Sequence, residues 1–351
     1  MKILKYLFFL ILLIVIGSAI YFGTKDGTYD IQDSIVIKAP AEMVFNQVND
    51  YKNWEKWGPW KRNDPTITFN YAEKTVGEGG SYSWDGEMNG SMTTTKVIPN
   101  KEIQQDLTLD TPGGERQQKV FWTFEEVEEG TKVTWRMKGE HTMMDKAYFS
   151  ISGMDFNGAI HKMNKEGLEG LAFEVVEEMK QYTINVDGVS QYGGGYYMYT
   201  TSVAKQDELD ARTEAMMNQV MDFVTKNNLN MAGKPFTLYN EIDTANNTVI
   251  FSTAVPVKEK VITPEGSPVV CGFMEPVSAV KITLKGNYKH LPEAYSKGHQ
   301  YIEKNGLLKD PEGKMFEVFN TDPQETPNPA NWITEIYIPI TPALELDLDG
   351  I

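Results

Sequence analysis

The chain has 351 residues, 41% of them hydrophobic, with 49 acids against 33 bases and a formal charge of −16. That is long enough for two domains with real cores, and the acids are spread along the chain, which argues against the clustered basic surface that a nucleic-acid partner needs. One cysteine, Cys271, excludes an intrachain disulfide, and four histidines without ligand spacing offer no zinc or haem site, so no cofactor is expected.

Ile3 to Phe22 is apolar or small throughout except for Lys5, long enough at about 1.5 Å per residue to cross a bilayer. Residues 1–24 are expected to form an uncleaved transmembrane anchor, with a signal peptide cleaved near Gly17-Ser18-Ala19 as the rival. Lys2 and Lys5 precede the run, whereas Lys25 and Asp26 after it nearly cancel. The positive-inside bias then puts the N-terminus in the cytoplasm and the globular part outside it.

Residues 29–179 read as a first domain. Tyr29 to Lys38 alternates as a strand does, and Ala39-Pro40 opens a helix with Val44, Phe45 and Val48 on one stripe. Trp54, Trp57 and Trp60 follow around Gly58-Pro59. Six strands come next, over Ile67–Ala72, Gly79–Asp85, Gly90–Ile98, Ile103–Asp110, Gln117–Val127 and Thr131–Lys138. They are separated by the turns Asp85-Gly86, Asn89-Gly90, Pro112-Gly113-Gly114 and Glu129-Gly130. One long helix closes the domain, carrying Ile160, Met163, Leu168, Leu171, Val175 and Met179.

Strand, short helix, six strands and long helix require a curved antiparallel sheet closed on its concave side by the last helix. With Ile35-Val36-Ile37-Lys38-Ala39-Pro40-Ala41-Glu42-Met43-Val44-Phe45, Val48-Asn49-Asp50 and Trp54-Glu55-Lys56-Trp57, this domain resembles the SRPBCC superfamily (START-like, helix-grip), in particular its polyketide-cyclase-like branch. The resemblance implies an apolar or lipid-like ligand between sheet and helix. Trp84, Trp122, Trp135, Phe121 and the Met143-Met144 pair are candidates to line that space or to be plain core. No paired acid and base assignable to a reaction is apparent here.

Residues 181–340 contain a repeat. Gly233-Lys234-Pro235-Phe236-Thr237-Leu238-Tyr239-Asn240 recurs as Gly313-Lys314-Met315-Phe316-Glu317-Val318-Phe319-Asn320. Each copy leads to a strand closing with proline, at Pro256 and Pro339, and follows a helix ending in Lys226-Asn227-Asn228-Leu229 or Glu303-Lys304-Asn305-Gly306-Leu307. Upstream lie strands near Gly195–Ser202 and Val277–Leu284. The expected unit is β-α-β-β, used twice. The two copies should pack as a pseudo-symmetric pair, each covering the other's apolar sheet face, with a groove at the junction.

The phrases Gly313 to Asn320 and Trp332 to Pro339 give this half a resemblance to the GyrI-like small-molecule-binding domain, the effector-binding domain of drug-responsive transcription activators. That resemblance implies an acid on the last strand, matched here by Glu335, at the bottom of the groove among aromatic rings. Its twin position holds Ser252. Candidate companions are Tyr337, Trp332, Tyr239, Phe319, Tyr196, Tyr197 and Tyr199, the last three set against Val280, Ile282 and Leu284 in the second copy. Aromatic faces around a carboxylate suit organic cations and flat rings. Some such domains hydrolyse small electrophiles, which would make Glu335 a general acid and base with Glu317 the only other carboxylate nearby. The tail, residues 341–351, mixes leucines with acids and is expected to add an edge strand or fray.

The expectation is therefore an α+β protein: a transmembrane helix, a helix-grip domain and a duplicated domain. It would be a membrane-anchored binder of small organic or lipid-like molecules, an apolar one in the first domain and a cationic or aromatic one at Glu335. The alternative is a hydrolase of a small electrophile. No nucleic-acid partner is expected.

Overall fold

The computed structural model describes residues 2–111 and 114–341. Pro112-Gly113 and residues 342–351, for which a turn and an edge strand or frayed tail were expected, lie outside the described residues. The chain divides into two compact units, Met1–Glu178 and Met179–Ile351, each α+β with one antiparallel sheet.

The first unit opens with α1 (Lys2–Thr24), whose apolar side chains are uncovered along its length. It is long and apolar enough to cross a membrane. A seven-stranded sheet follows in the order β1-β7-β6-β5-β4-β3-β2. Its strands are β1 (Thr28–Ile37), β2 (Thr68–Tyr71), β3 (Ser81–Asp85), β4 (Gly90–Ile98), β5 (Glu102–Thr111), β6 (Gly114–Val127) and β7 (Gly130–Glu140). Between β1 and β2 come α2 (Ala41–Asn49) and the single-turn helices α3 (Trp54–Trp57) and α4 (Trp60–Asn63).

Strand alternation sends Val120, Trp122 and Phe124 of β6, and Val133, Trp135 and Met137 of β7, to the inner face. After β7 the chain makes two helices, where sequence reasoning expects one: α5 (Met143–Ser152) and α6 (Phe156–Lys180). Gly153, at φ +69°, ends the first in the left-handed cap conformation. Asp155 then accepts the Gly158 amide at 2.9 Å and starts the second. Glycines let α6 come close to what it covers. A Cβ on Gly170 would meet the Trp57 carbonyl oxygen at 2.1 Å, and one on Gly167 the Trp135 ring at 2.7 Å.

Trp54, Trp57, Trp122 and Trp135 fill the interior as one cluster, with centroids 4.5 Å apart for the stacked Trp122–Trp135 pair and 5.0 Å for Trp54–Trp57. Three of their indole N–H groups donate, to Val48 O, Gln47 O and Gln105 Oε1. Trp122 and Trp135 are therefore core. Phe121 faces outward beneath Lys138, and Met143 and Met144 stand exposed on α5, so these do not line an interior cavity, whereas Trp84 packs beside the buried Tyr82 on the same strand face.

The second unit is one eight-stranded sheet, order β12-β9-β11-β10-β14-β15-β13-β8. The first copy of the repeat supplies β8 (Thr183–Tyr192), β9 (Gly195–Lys205), α7 (Leu209–Lys226), β10 (Phe236–Asp243) and β11 (Thr248–Pro256). The second supplies β12 (Val270–Met274), β13 (Val277–Lys285), α8 (Leu291–Lys304), β14 (Phe316–Phe319) and β15 (Ile333–Pro339).

Each copy thus carries one more leading strand than the repeated phrases predict, and those strands are exchanged. β8 pairs with β13 of the other copy, and β12 with β9. The expectation that each copy covers the other's sheet face is replaced by an edge-to-edge join. β10 and β14 pair at the centre, so neither strand is left with an unpaired edge.

Both helices lie on one face. α7 buries Met216, Val220 and Val224 against β9 and β11, and α8 sets Ala294, Gly298 and Ile302 on Ile282, Ile336 and Ile338. The other face gathers Phe236, Leu238, Phe316, Val318 and Tyr337 with Tyr192, Tyr197 and Tyr199.

Candidate functional site

The two acids of the repeat region sit on opposite faces of the second sheet, because 317 and 335 occupy strand positions of opposite direction. Val318, not Glu317, is the residue paired with Glu335.

Glu335 lies on the face without helices. Lys281 of β13 holds its Oε1 at 2.9 Å and the Tyr337 hydroxyl donates to its Oε2 at 2.8 Å. Burial works against its ionisation. The Lys281 bond and charge, with the hydroxyl of Tyr337 and the Asn320 side chain, outweigh that and hold the carboxyl below its ordinary value. Glu335 is therefore already neutralised inside the protein.

Glu317 lies on the helix face and is 3% exposed. Two hydroxyls donate to its Oε1, those of Tyr239 from β10 and Tyr295 from α8, each at 2.9 Å. No ion pair to it occurs among the described residues. Burial, opposed by the two tyrosine bonds and reinforced by the charge of Asp210 on α7, pushes its carboxyl up to about 7. Its charge, with burial the larger cause, also helps push the Tyr288 hydroxyl up to about 12. Tyr288 in turn packs on Phe319 and Trp332, with centroids at 5.6 and 4.7 Å. The helix-face site is thus an acid without a counter-ion, capped by tyrosine hydroxyls and flanked by an aromatic cluster.

The predicted site residues divide between the two faces. Glu335, Tyr337, Tyr197 and Tyr199 share the face without helices, where Tyr337 stacks on Phe316 at 4.7 Å and Tyr197 meets Phe236 at 5.3 Å. Tyr239, Phe319 and Trp332 belong with Glu317. Tyr196 lies on the helix face near the sheet edge, against Phe273 at 4.8 Å. The register also corrects the twin of the tyrosine strand. Thr201 pairs with Ser252 as Thr283 pairs with Glu335, so Tyr197 and Tyr199 correspond to Ala279 and Lys281. Lys281, Tyr295 and Tyr288 escaped sequence reasoning. The aligned helix ends, Lys226 and Lys304, would have set Tyr295 against Met217 and shown a second asymmetry beside the acid.

The first unit holds a cleft of about 530 Å³ between β1 and α6, lined by Ile35 and Leu168 together with Asp33, His161, Lys165 and Glu169. His161 Nδ1 sits 2.9 Å from both Asp33 oxygens, and the Asn164 amide donates to Asp33 at 3.0 Å. This pair was not visible in the sequence, because residues far apart in the chain converge where α6 meets β1. Among the described residues, no cluster of three His, Cys, Asp or Glu side chains is arranged to hold a metal ion.

Two family models match separate parts of the chain. Residues 38–157 match the family described as activator of Hsp90 ATPase homolog 1-like protein, and residues 200–341 match the GyrI-like small molecule binding domain. No curated protein matches the chain. Solved structures similar to it include the EcmrR C-terminal domain, 17% identical over 46% of this chain and 98% of that one, with a TM-score of 0.39. Another is the EcmrR–DNA complex, 15% identical over 58% and 85%, TM-score 0.39. Protein CV1439 from Chromobacterium violaceum is 16% identical over 42% and 96%, TM-score 0.33.

Proposed function

From a chain that joins an SRPBCC-like domain of the AHSA1 type to a GyrI-like small-molecule-binding domain, we propose a membrane-anchored binder of small organic molecules whose second unit takes a cationic ligand at Glu317. The observation that carries this is the buried carboxylate with two hydroxyl donors and no cation. An ionised acid in that setting lacks compensation, and a ligand ammonium would supply it while the rings of Tyr288, Phe319 and Trp332 stack on its apolar part. Glu335 was expected in this role from sequence, but Lys281 already occupies its charge.

In the first unit the space under α6 is taken by indoles. The cleft along β1, part apolar and part charged, suits an amphipathic molecule better than a wholly apolar one. Helix α1 would be the anchor, with both units outside the cytoplasm.

Calorimetry with benzyltrimethylammonium and its neutral carbon isostere neopentylbenzene tests the reading. Glu317→Gln should weaken the cation by tenfold or more, about 1.4 kcal/mol per decade, and leave the isostere nearly unchanged. Glu335→Gln should affect both little. Equal losses of cation and isostere in Glu317→Gln would sink the proposal.

A second reading draws on the same raised carboxyl. An acid titrating near 7 beside two tyrosine hydroxyls can take and return a proton, as hydrolysis of a small electrophile requires. Turnover that rises through pH 7 and vanishes in Glu317→Gln would establish it, and turnover unaffected by that substitution would dispose of it.

A further inference from the structure

Helix α5 is firmly built yet leaves its apolar residues uncovered. Thr142 and Asp145 form a capping box at its start, and Arg116 Nε reaches Asp145 at 3.0 Å. On its inner side Phe149 packs on His141 and Phe156, with centroids at 5.0 and 5.4 Å, and Tyr29 completes that aromatic cluster. On its outer side Met144, Tyr148 and Ile151, spaced by four and three residues, are 65%, 60% and 84% exposed. Such a stripe on a rigidly held helix faces an apolar phase.

The position of α5 says which phase. It packs against α1 and is tied to the residues just after that helix. The His141 amide donates to Gly27 O at 2.8 Å, and Lys146 Nζ donates to Lys25 O at 2.5 Å. At the same end of α1, Lys25 Nζ lies 4.2 Å from the centre of the Tyr21 ring. An aromatic residue beside a snorkelling lysine is the usual mark of the membrane–water boundary.

We propose that α5 is an interfacial helix whose Met144–Tyr148–Ile151 stripe inserts at the headgroup–acyl boundary of the phospholipid bilayer that α1 crosses, fixing the first unit on the membrane surface. The proposal rests on the anchor reading of α1. Within α5, Asp145 and Lys146 cancel, and both have partners in the protein. Insertion is therefore apolar, and zwitterionic lipid suffices.

The test uses the full chain carrying Cys271→Ser, with an environment-sensitive NBD label on Ile151→Cys, reconstituted in phosphatidylcholine vesicles. Ile151 contributes nothing to the core, so labelling it leaves folding intact. Labels on Leu13→Cys in α1 and on Glu128→Cys, in the exposed β6–β7 turn, serve as the deep and aqueous references. Blue-shifted emission at 151, quenched several-fold more than at 128 by a lipid spin-labelled near its headgroup, is the expected result. Aqueous emission at 151 overturns the proposal. So does a blue shift that lipid spin labels do not quench, since a second copy of the chain would then cover the stripe. A lipid spin-labelled deep in its acyl chain reads position 13: quenching there with aqueous emission at 151 removes the interfacial helix and leaves the anchor, whereas absence of that deep quenching removes both.

Discussion

Thr237 and Glu317 face each other across the β10–β14 pair, twin positions of a duplicated phrase brought side by side at the centre of the sheet. Both are buried, at 1% and 3% exposure. One position carries a hydroxyl and the other an ionisable group, so the pseudo-symmetry is broken where the two copies meet.

The pH dependence of stability follows from that acid. Folding raises its carboxyl from an ordinary 4.5 to about 7, so the folded chain keeps a proton that the unfolded chain releases across that window. The stabilisation is complete below about 4.5 and is lost as pH rises through about 7. Replacing Glu317 by Gln removes the loss. The variant should gain on the order of 3 kcal/mol over the parent above pH 7 and little at pH 4, read from hydrogen exchange of the β10 and β14 amides.

Cation binding should carry the opposite dependence. A ligand ammonium needs the carboxylate, so affinity for benzyltrimethylammonium should rise with pH and level off above about 7. Below that value the rise approaches tenfold per pH unit. Calorimetry at pH 6 in buffers of different ionisation enthalpy should detect close to one proton released per cation bound.

The Lys281–Glu335 pair makes a smaller prediction. Both side chains keep about a quarter of their surface in solvent, so Lys281→Met should cost only about 1 kcal/mol. It should also raise the Glu335 carboxyl, observable by carbon-13 NMR titration. With a depressed folded value, the pair's contribution is present above the ordinary 4.5 and fades as pH falls through the lowered value.

Close approach of α6 gives a purely steric test. The Cβ of Gly170→Ala would press on the Trp57 backbone carbonyl, which cannot swing away as a side chain can. A loss of about 1–3 kcal/mol is expected. Six of the seven tryptophans lie in the first unit, so denaturation followed by indole fluorescence reads that unit.

Much of the fold was legible because it is written in local periodicity. The strands of the first unit alternate, their turns carry glycine, and the duplicated phrases mark equivalent strands in the second. What was hidden depends on partners distant in sequence. Alternation within one strand does not say which face receives the helices, so sequence favours Glu335 over Glu317, and only the fold shows that α8 brings Tyr295 to Glu317 while β13 brings Lys281 to Glu335. The leading strands β8 and β12 lie outside the repeated phrases and went unseen. Helix α5 escaped for a different reason: its apolar residues point out of the protein rather than into a core stripe.

The exchange of β8 and β12 has a consequence for how such a unit can be divided. Each copy lends its first strand to the half-sheet of the other, so neither is complete alone. Cut within residues 257–269, between β11 and β12, the two fragments would each keep an open sheet edge and a leading strand parted from its native partner. Trading that strand with a second molecule would restore an exchanged pairing of the same kind. The single chain thus has the form of a strand-swapped dimer whose two members are continuous, and in which one member carries an acid where the other has Thr237.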